Sequence, residues 1–337
     1  MKKAFFLLAP TFLCVIIAEY IILPFFIKQH TGISQRELYL LGFVATPHII
    51  VGDTPINAMG FTGDEPALKK APQTIRILTL GSSAFFNRRM TMRLKDSLAH
   101  CTNRHIEILG AALRKHTSAS SVYKYRALAK YQFDYVLIYE GINDLWMNHF
   151  VLKDFRSDYS HFNPWYARNF ILDNSIIARL SYNMMYAILR KFFSPKIVPN
   201  GSQFASAYSF RRNMETLIKE IMRHNAVPVL MTQAFYIPNE YTLQKFCLNQ
   251  LGYNNPDHYD QRPVEAWGDV EYVRAGLKKH NDITRDLAEK CHLRIIDQEK
   301  LMGENIFWFG DLCHFSEEGT DRFIQNITDV FRKELSL

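Results

Sequence analysis

Residues 76–84 read Arg76-Ile77-Leu78-Thr79-Leu80-Gly81-Ser82-Ser83-Ala84, and the rest of the chain is organised around them. Ile75, Ile77, Leu78 and Leu80 are closely spaced and stop at a glycine, the pattern of a short strand buried in a parallel sheet. A helical pattern follows over residues 90–100, so Ser82 and Ser83 fall on a strand-to-helix turn. Chemistry in open parallel sheets gathers just outside the carboxyl ends of the strands, where a reacting hydroxyl is useful. Taken alone, the same residues also read as an ordinary polar turn with a serine N-cap.

Two distant stretches supply what a serine nucleophile lacks. A hydroxyl is a weak nucleophile near neutral pH, so it needs a base within hydrogen-bond reach and a carboxylate to orient that base. Tyr135-Val136-Leu137-Ile138-Tyr139 is a second buried-strand pattern, ending in Glu140-Gly141-Ile142-Asn143-Asp144. Near the C-terminus, Asp311-Leu312-Cys313-His314 precedes Ser316, which is placed to cap a final helix. His314 and Asp311 suit the base and its orienter, and the Asn143 amide suits a donor aimed at the oxyanion of a tetrahedral intermediate.

In order and spacing these blocks resemble those of the SGNH hydrolase superfamily, the GDSL esterases and lipases. Gly81-Ser82-Ser83 stands at the Gly-Asp-Ser block, Gly141-Ile142-Asn143-Asp144 at the Gly-x-Asn-Asp block and Asp311-Leu312-Cys313-His314 at the Asp-x-x-His block. The resemblance covers residues 74 to 333 and implies a three-layer α/β/α, flavodoxin-like parallel-sheet fold. It also implies Ser83 as nucleophile, the Ser83 peptide N–H and the Asn143 side chain as oxyanion donors, Asp311 as orienter and His314 as base. It implies no cofactor and no metal. Ser82 replaces the family's aspartate, which makes it the alternative nucleophile, although the register from Arg76 favours Ser83. In the second block, within Ile106-Glu107-Ile108-Leu109-Gly110-Ala111-Ala112-Leu113, Ala112 takes the place of the glycine whose N–H serves the oxyanion, with Gly110 as the alternative donor.

Three regions follow along the chain. Residues 1–28 form an expected transmembrane anchor: 4–27 are apolar apart from Pro10, Thr11, Glu19 and Pro24, and 24 helical residues reach about 36 Å, enough to cross a bilayer. The competing reading is a signal peptide cleaved near Ala18. Lys2 and Lys3 favour a single pass through the inner (cytoplasmic) membrane with the larger domain on the outer, periplasmic side. Glu19 within the span is expected to snorkel or to sit protonated. Residues 29–73 read as a membrane-proximal connector broken by prolines and glycines. In it Asn57 to Glu65 resembles a segment ahead of the catalytic strand in anchored bacterial relatives, read as a folded-back packing segment. Residues 74–337 are the expected catalytic domain, its strands at 75–80, 105–109, 135–139, 227–231 and 293–297 alternating with helices near 90–100, 117–130, 205–224, 268–290 and 317–333. Irregular insertions near 145–203 and 233–266 are rich in aromatics, which either wall an acyl or sugar pocket or pack over the sheet rim; Trp146 is the one nearest the inferred site.

Composition narrows the partners. The chain has 337 residues, 48% of them hydrophobic, and a net charge of +7, with an isoelectric point of about 9.0. Basic residues are scattered without a recognition motif, so nucleic acid is not expected, and an anionic envelope surface or polyanionic glycan is the more natural partner. Apart from Cys14 in the span, Cys101, Cys247, Cys291 and Cys313 show no metal-ligand spacing and admit either one or two disulfides or free thiols. His149, His161 and Asp144 are not expected to bind metal. Three functions remain: a membrane-anchored ester hydrolase acting through an acyl-enzyme on an acylated glycan or lipid, an O-acyltransferase using the same intermediate, and a catalytically silent envelope binding or assembly protein.

Overall fold

The computed structural model describes residues 13–23, 42, 44–86, 89–192, 198, 203–254 and 261–335. Strands β1 (Thr62–Gly63), β2 (Thr74–Gly81), β3 (His105–Gly110), β4 (Tyr135–Tyr139), β5 (Val227–Met231) and β6 (Arg294–Ile296) form one sheet in the order β1-β3-β2-β4-β5-β6. The last five in that order are parallel neighbours, while β1 adds an antiparallel edge to β3. β2 lies between β3 and β4 and is buried at all eight positions, as the continuous apolar run requires of a strand covered on both faces. Its one charged residue, Arg76, is 1% exposed. Arg76 is tolerated there because its guanidinium bonds Glu107 Oε2 at 2.7 Å and the Tyr131 carbonyl.

Two helix layers cover the sheet. α1 (Met90–Ala99) packs against the final helix, while α2 (Ser118–Leu128) packs against the long helix Ala205–Arg223, which in turn meets Val270–Lys290. The short helix α3 (Ile142–Trp146) follows β4 directly. The parallel strand order reverses at β2 and β4, and such a switch point leaves a crevice outside the strand ends.

The segment before β2 is tied to the sheet edge. Asn57 knits a loop around itself: its Oδ1 accepts the N–H of Met59 and of Phe61, both at 3.0 Å, and its Nδ2 donates to the carbonyls of Gly63 and Asp64. Asp64 then accepts the Ile108 N–H at 2.8 Å and Lys95 Nζ at 2.7 Å, and Glu65 accepts the Ala58 N–H at 2.7 Å. Phe61 is fully buried in the core. The polar residues of this phrase thus satisfy one another's backbone while its aromatic residue is buried.

The first insertion departs from the expected irregular structure. It contains a short helix, Phe170–Asn174, and the 17-residue α4 (Ile176–Phe192). Only Ile176 and Arg179 of α4 are buried; its apolar stripe faces outward, with Met184, Ile188 and Phe192 exposed by 65, 51 and 74%. Of the expected span, residues 13–23 are described and helical, and the rest lies outside the described residues. No helix among the described residues is long and apolar enough to cross a membrane. Glu19 neither snorkels nor stands alone. It is 5% exposed and caps the start of α4, accepting the N–H of Ile176 at 2.7 Å and of Ile177 at 3.0 Å and the hydroxyl of Ser175 at 3.2 Å. Negative charge at a helix N-terminus is favourable, and the partner lies too far along the chain for local pattern to reveal it. All five cysteines are free thiols.

Candidate active site

β2 ends in a single 3-10 turn, Ser83–Phe85. Ser82 is fully buried and its hydroxyl has no hydrogen-bond partner among the described residues, whereas the partly exposed Ser83 places its Oγ 2.8 Å from His314 Nε2. The Ser83 peptide N–H opens this turn, where no acceptor within the helix exists for it.

His314 and Asp311 sit on one tight loop closed by a bond from the Gly310 N–H to the His314 carbonyl, 2.7 Å. Ser316 ends the loop and accepts the Gly319 N–H at 2.9 Å, so the expected cap starts α5 (Glu317–Leu335). Asp311 is completely buried and all four of its contacts are donors. Oδ1 accepts the N–H of Cys313 at 2.9 Å and of His314 at 2.8 Å; Oδ2 accepts His314 Nδ1 and the Arg262 N–H, both at 2.8 Å. That set fixes the carboxylate in its ionised form and the Nδ1 proton on the imidazole, leaving Nε2 to accept from Ser83. Burial alone lowers the His314 pKa, but the Asp311 charge outweighs it and holds the imidazole well above its ordinary 6.5. Asp311, Cys313 and His314 also bring three ligand-type atoms within 4.8 Å of one another; the Asp311 oxygens are already engaged by N–H groups, an arrangement suited to orienting an imidazole.

Asn143 lies on the first turn of α3. Its Nδ2 donates to the His116 carbonyl at 2.8 Å, which fixes the amide plane and leaves its second N–H for the cavity it lines. The next residue, Asp144, is fully buried and braces the site from behind. Its carboxylate accepts the Ser118 N–H at 3.0 Å and the Tyr159 hydroxyl at 2.8 Å, joining α3 to the start of α2 and to the first insertion. Burial raises its pKa to about 6 against the pull of the Ser118 bonds.

Ser83, Asn143 and His314 share the wall of one cavity of about 460 Å3. A serine hydroxyl, an imidazole held by a buried carboxylate, and a side-chain amide thus meet beyond the carboxyl ends of β2 and β4. These are the residues of the three sequence blocks quoted above.

Two further donors are expected from the second block, Ala112 and Gly110. Neither Ala112 nor Gly110 lines the cavity. Gly110 pairs with Thr62 and Thr79 inside the sheet, and a Cβ there would fall 2.0 Å from Thr62 Oγ1 and 2.2 Å from Thr91 Oγ1. Its glycine answers a packing demand, not a chemical one. Of the insertion aromatics, Trp146 lines the cavity and is joined by Trp267. Among the described insertion aromatics, Phe162 makes an edge contact with Trp146, and Tyr159 makes edge contacts with Phe155 and Tyr166. Sequence reasoning missed Trp267 and Arg262, whose stretch carries no chemical motif. A larger groove of about 740 Å3 beside Arg274 and Arg285 has no serine, cysteine or histidine among the described residues on its walls.

No family model and no curated protein matches the chain. Solved structures similar to it include a lipase/acylhydrolase from Enterococcus faecalis, 15% identical with a TM-score of 0.44, covering 77% of this chain and 96% of that one. A GDSL-like lipase from Bacteroides thetaiotaomicron is 12% identical with a TM-score of 0.43, over 80% and 93% of the two chains. An acetylxylan esterase from Geobacillus stearothermophilus is 10% identical with a TM-score of 0.43, over 76% and 93%.

Proposed function

We propose that the protein is a serine ester hydrolase that works through an acyl-enzyme on an acylated glycan or lipid at a membrane surface. The observation that carries this reading is the unbroken line from Ser83 Oγ to His314 Nε2 and from His314 Nδ1 to Asp311 Oδ2, 2.8 Å at each step, opening into a cavity. Ser83 Oγ attacks the acyl carbonyl and gives its proton to His314 Nε2. The carbonyl oxygen becomes an anion facing the Ser83 N–H and Asn143 Nδ2. His314 then returns the proton to the departing alcohol, and the acyl group remains on Ser83. Water, deprotonated by the same imidazole, releases it as the carboxylic acid.

Residues 1–28 hold the catalytic domain at the outer face of the cytoplasmic membrane. The outward apolar stripe of α4, joined to the N-terminal helix through Glu19, supports a membrane-facing side. Reaction of the full chain in detergent with a fluorophosphonate tests the chemistry: the adduct is expected on Ser83 and absent in Ser83→Ala. An adduct on Ser82, or none together with no hydrolysis of 4-nitrophenyl acetate, refutes it. Fractionation tests the location, since recovery of the protein in the soluble fraction, without residues 1–18, overturns the anchor.

A further inference from the structure

Besides the reacting groups and two tryptophans, three cations line the cavity: Arg114, Lys115 and Arg262. Among the described residues, no carboxylate lines it. Arg114 and Lys115 follow β3 on the loop into α2, and Lys115 holds a left-handed backbone, φ 63°. Arg262 arrives from the opposite side, on the second insertion, its N–H bonded to Asp311 Oδ2. The cations therefore reach the cavity from two separate segments, one of them tied to the orienter of the base.

A chain of net charge +7 has arginines and lysines on many surfaces, but most of those with a defined role here are paired. Arg93 meets Glu317, Arg211 meets Asp286, and Arg285 meets Asp297 and Glu299. Lys115 and Arg262 are exposed and have no ion pair or side-chain hydrogen bond among the described residues. The side-chain charges of Lys115 and Arg262 repel one another across the cavity they line, and a bound anion relieves that repulsion. The Trp146 and Trp267 ring systems add flat apolar surface at the same place, the kind on which the C–H face of a sugar ring rests.

We infer that the substrate is an anionic glycan: an acyl ester on a sugar that carries, or neighbours, a carboxylate or phosphate, with the sugar against Trp146 and Trp267 and the negative group between Lys115 and Arg262. This rests on the hydrolase reading and adds the class of substrate to it. The chemistry of recognition is shared by uronate and sugar phosphate, so the test separates them.

Full-length protein in detergent is assayed with three matched esters: a methyl 3-O-acetyl-glucoside, the corresponding glucuronide and the corresponding 6-phosphate. One or both anionic esters are expected to exceed the neutral one in kcat/KM by about tenfold or more, mainly through KM. The advantage should shrink as salt rises to about 0.5 M, where screening acts over a few ångströms. Lys115→Gln with Arg262→Gln should erase most of it, lowering kcat/KM for the anionic ester about tenfold more than for the neutral one, and Lys115→Arg should restore preference. Fluorophosphonate labelling of each variant checks that the triad remains assembled. Hydrolysis of the neutral ester at equal or greater kcat/KM overturns the inference and leaves the hydrolase reading standing. A preference that survives the double substitution also overturns it. Failure of every ester together with absence of Ser83 labelling sinks the hydrolase reading itself, and the inference with it.

Discussion

Asp311→Asn isolates what the buried carboxylate contributes. An asparagine keeps one oxygen and must turn its NH2 toward one of the two donor pairs. Placed at Oδ1, the NH2 would strand the buried N–H groups of Cys313 and His314, at about 1–3 kcal/mol each. Placed at Oδ2, it strands only the Arg262 N–H, because the imidazole can answer by accepting at Nδ1. The second arrangement is the cheaper by roughly one stranded N–H, and it moves the imidazole proton to Nε2. There it faces Ser83 Oγ and blocks proton acceptance. The corresponding change in serine proteases costs about 10⁴ in turnover, or about 5.4 kcal/mol of barrier, and a similar loss in kcat/KM is expected here. The pH profile adds an independent sign. Neutral His314 is the active form, and since Asp311 holds its pKa well above 6.5, the wild-type rate should rise with pH through a midpoint above 6.5. Without the Asp311 charge, burial lowers the imidazole pKa against Cys313 alone, so the variant's residual activity should have its acid limb at lower pH than wild type. The assay is hydrolysis of 4-nitrophenyl acetate from about pH 5 to about pH 10. A variant within tenfold of wild type, with an unmoved limb, would show that another group fixes the imidazole.

Three further outcomes are expected. Ser82→Ala should leave kcat/KM within about threefold and shift stability by less than about 1 kcal/mol, since its buried hydroxyl makes no bond among the described residues; a loss on the scale of Ser83→Ala would reverse their roles. Asn143→Ala should lower kcat about a hundredfold to a thousandfold with little change in KM. The opposite split in steady-state kinetics would make Asn143 a substrate clamp. Gly319→Ala should lower the thermal midpoint markedly, because its Cβ would sit 1.8 Å from the Trp308 carbonyl oxygen. A cost of several kcal/mol is expected, and a melting curve within a degree or two of wild type would contradict the packing described for the start of α5.

Much of this was legible because the site is built where local patterns change. The apolar runs at β2 and β4 mark their own ends, and the strand limits at Tyr135–Tyr139 and Val227–Met231 agree with the sequence pattern. Ser316 as cap and Asp311 beside His314 are likewise short-range relations. What stayed hidden depends on distant partners. Arg262 matters through a peptide N–H, which no side-chain pattern encodes. Glu19 finds its role 156 residues away, and β1 is only two residues long, held by Asn57 and Thr62 bonds that a periodicity cannot show. The helix α4 was missed inside an insertion expected to be irregular, and the outward direction of its stripe is set by Arg179 turning inward to the Ala167 carbonyl and Asp173.

The span of 231 residues between Ser83 and His314 has a consequence for the life of the nascent chain. Domains form from the N-terminus as synthesis proceeds, so the serine is made early and spends most of translation without its base. Asp311 and His314 lie on a loop whose exit is sealed by α5, the last helix of the chain. The serine therefore stays an inert alcohol until the final segment has docked beside α1, where Arg93 receives Glu317 and Asp321. On the proposed function, an unfinished or C-terminally clipped chain carries its nucleophile but cannot fire it, so the order of the chain itself would delay ester cleavage until the domain is assembled.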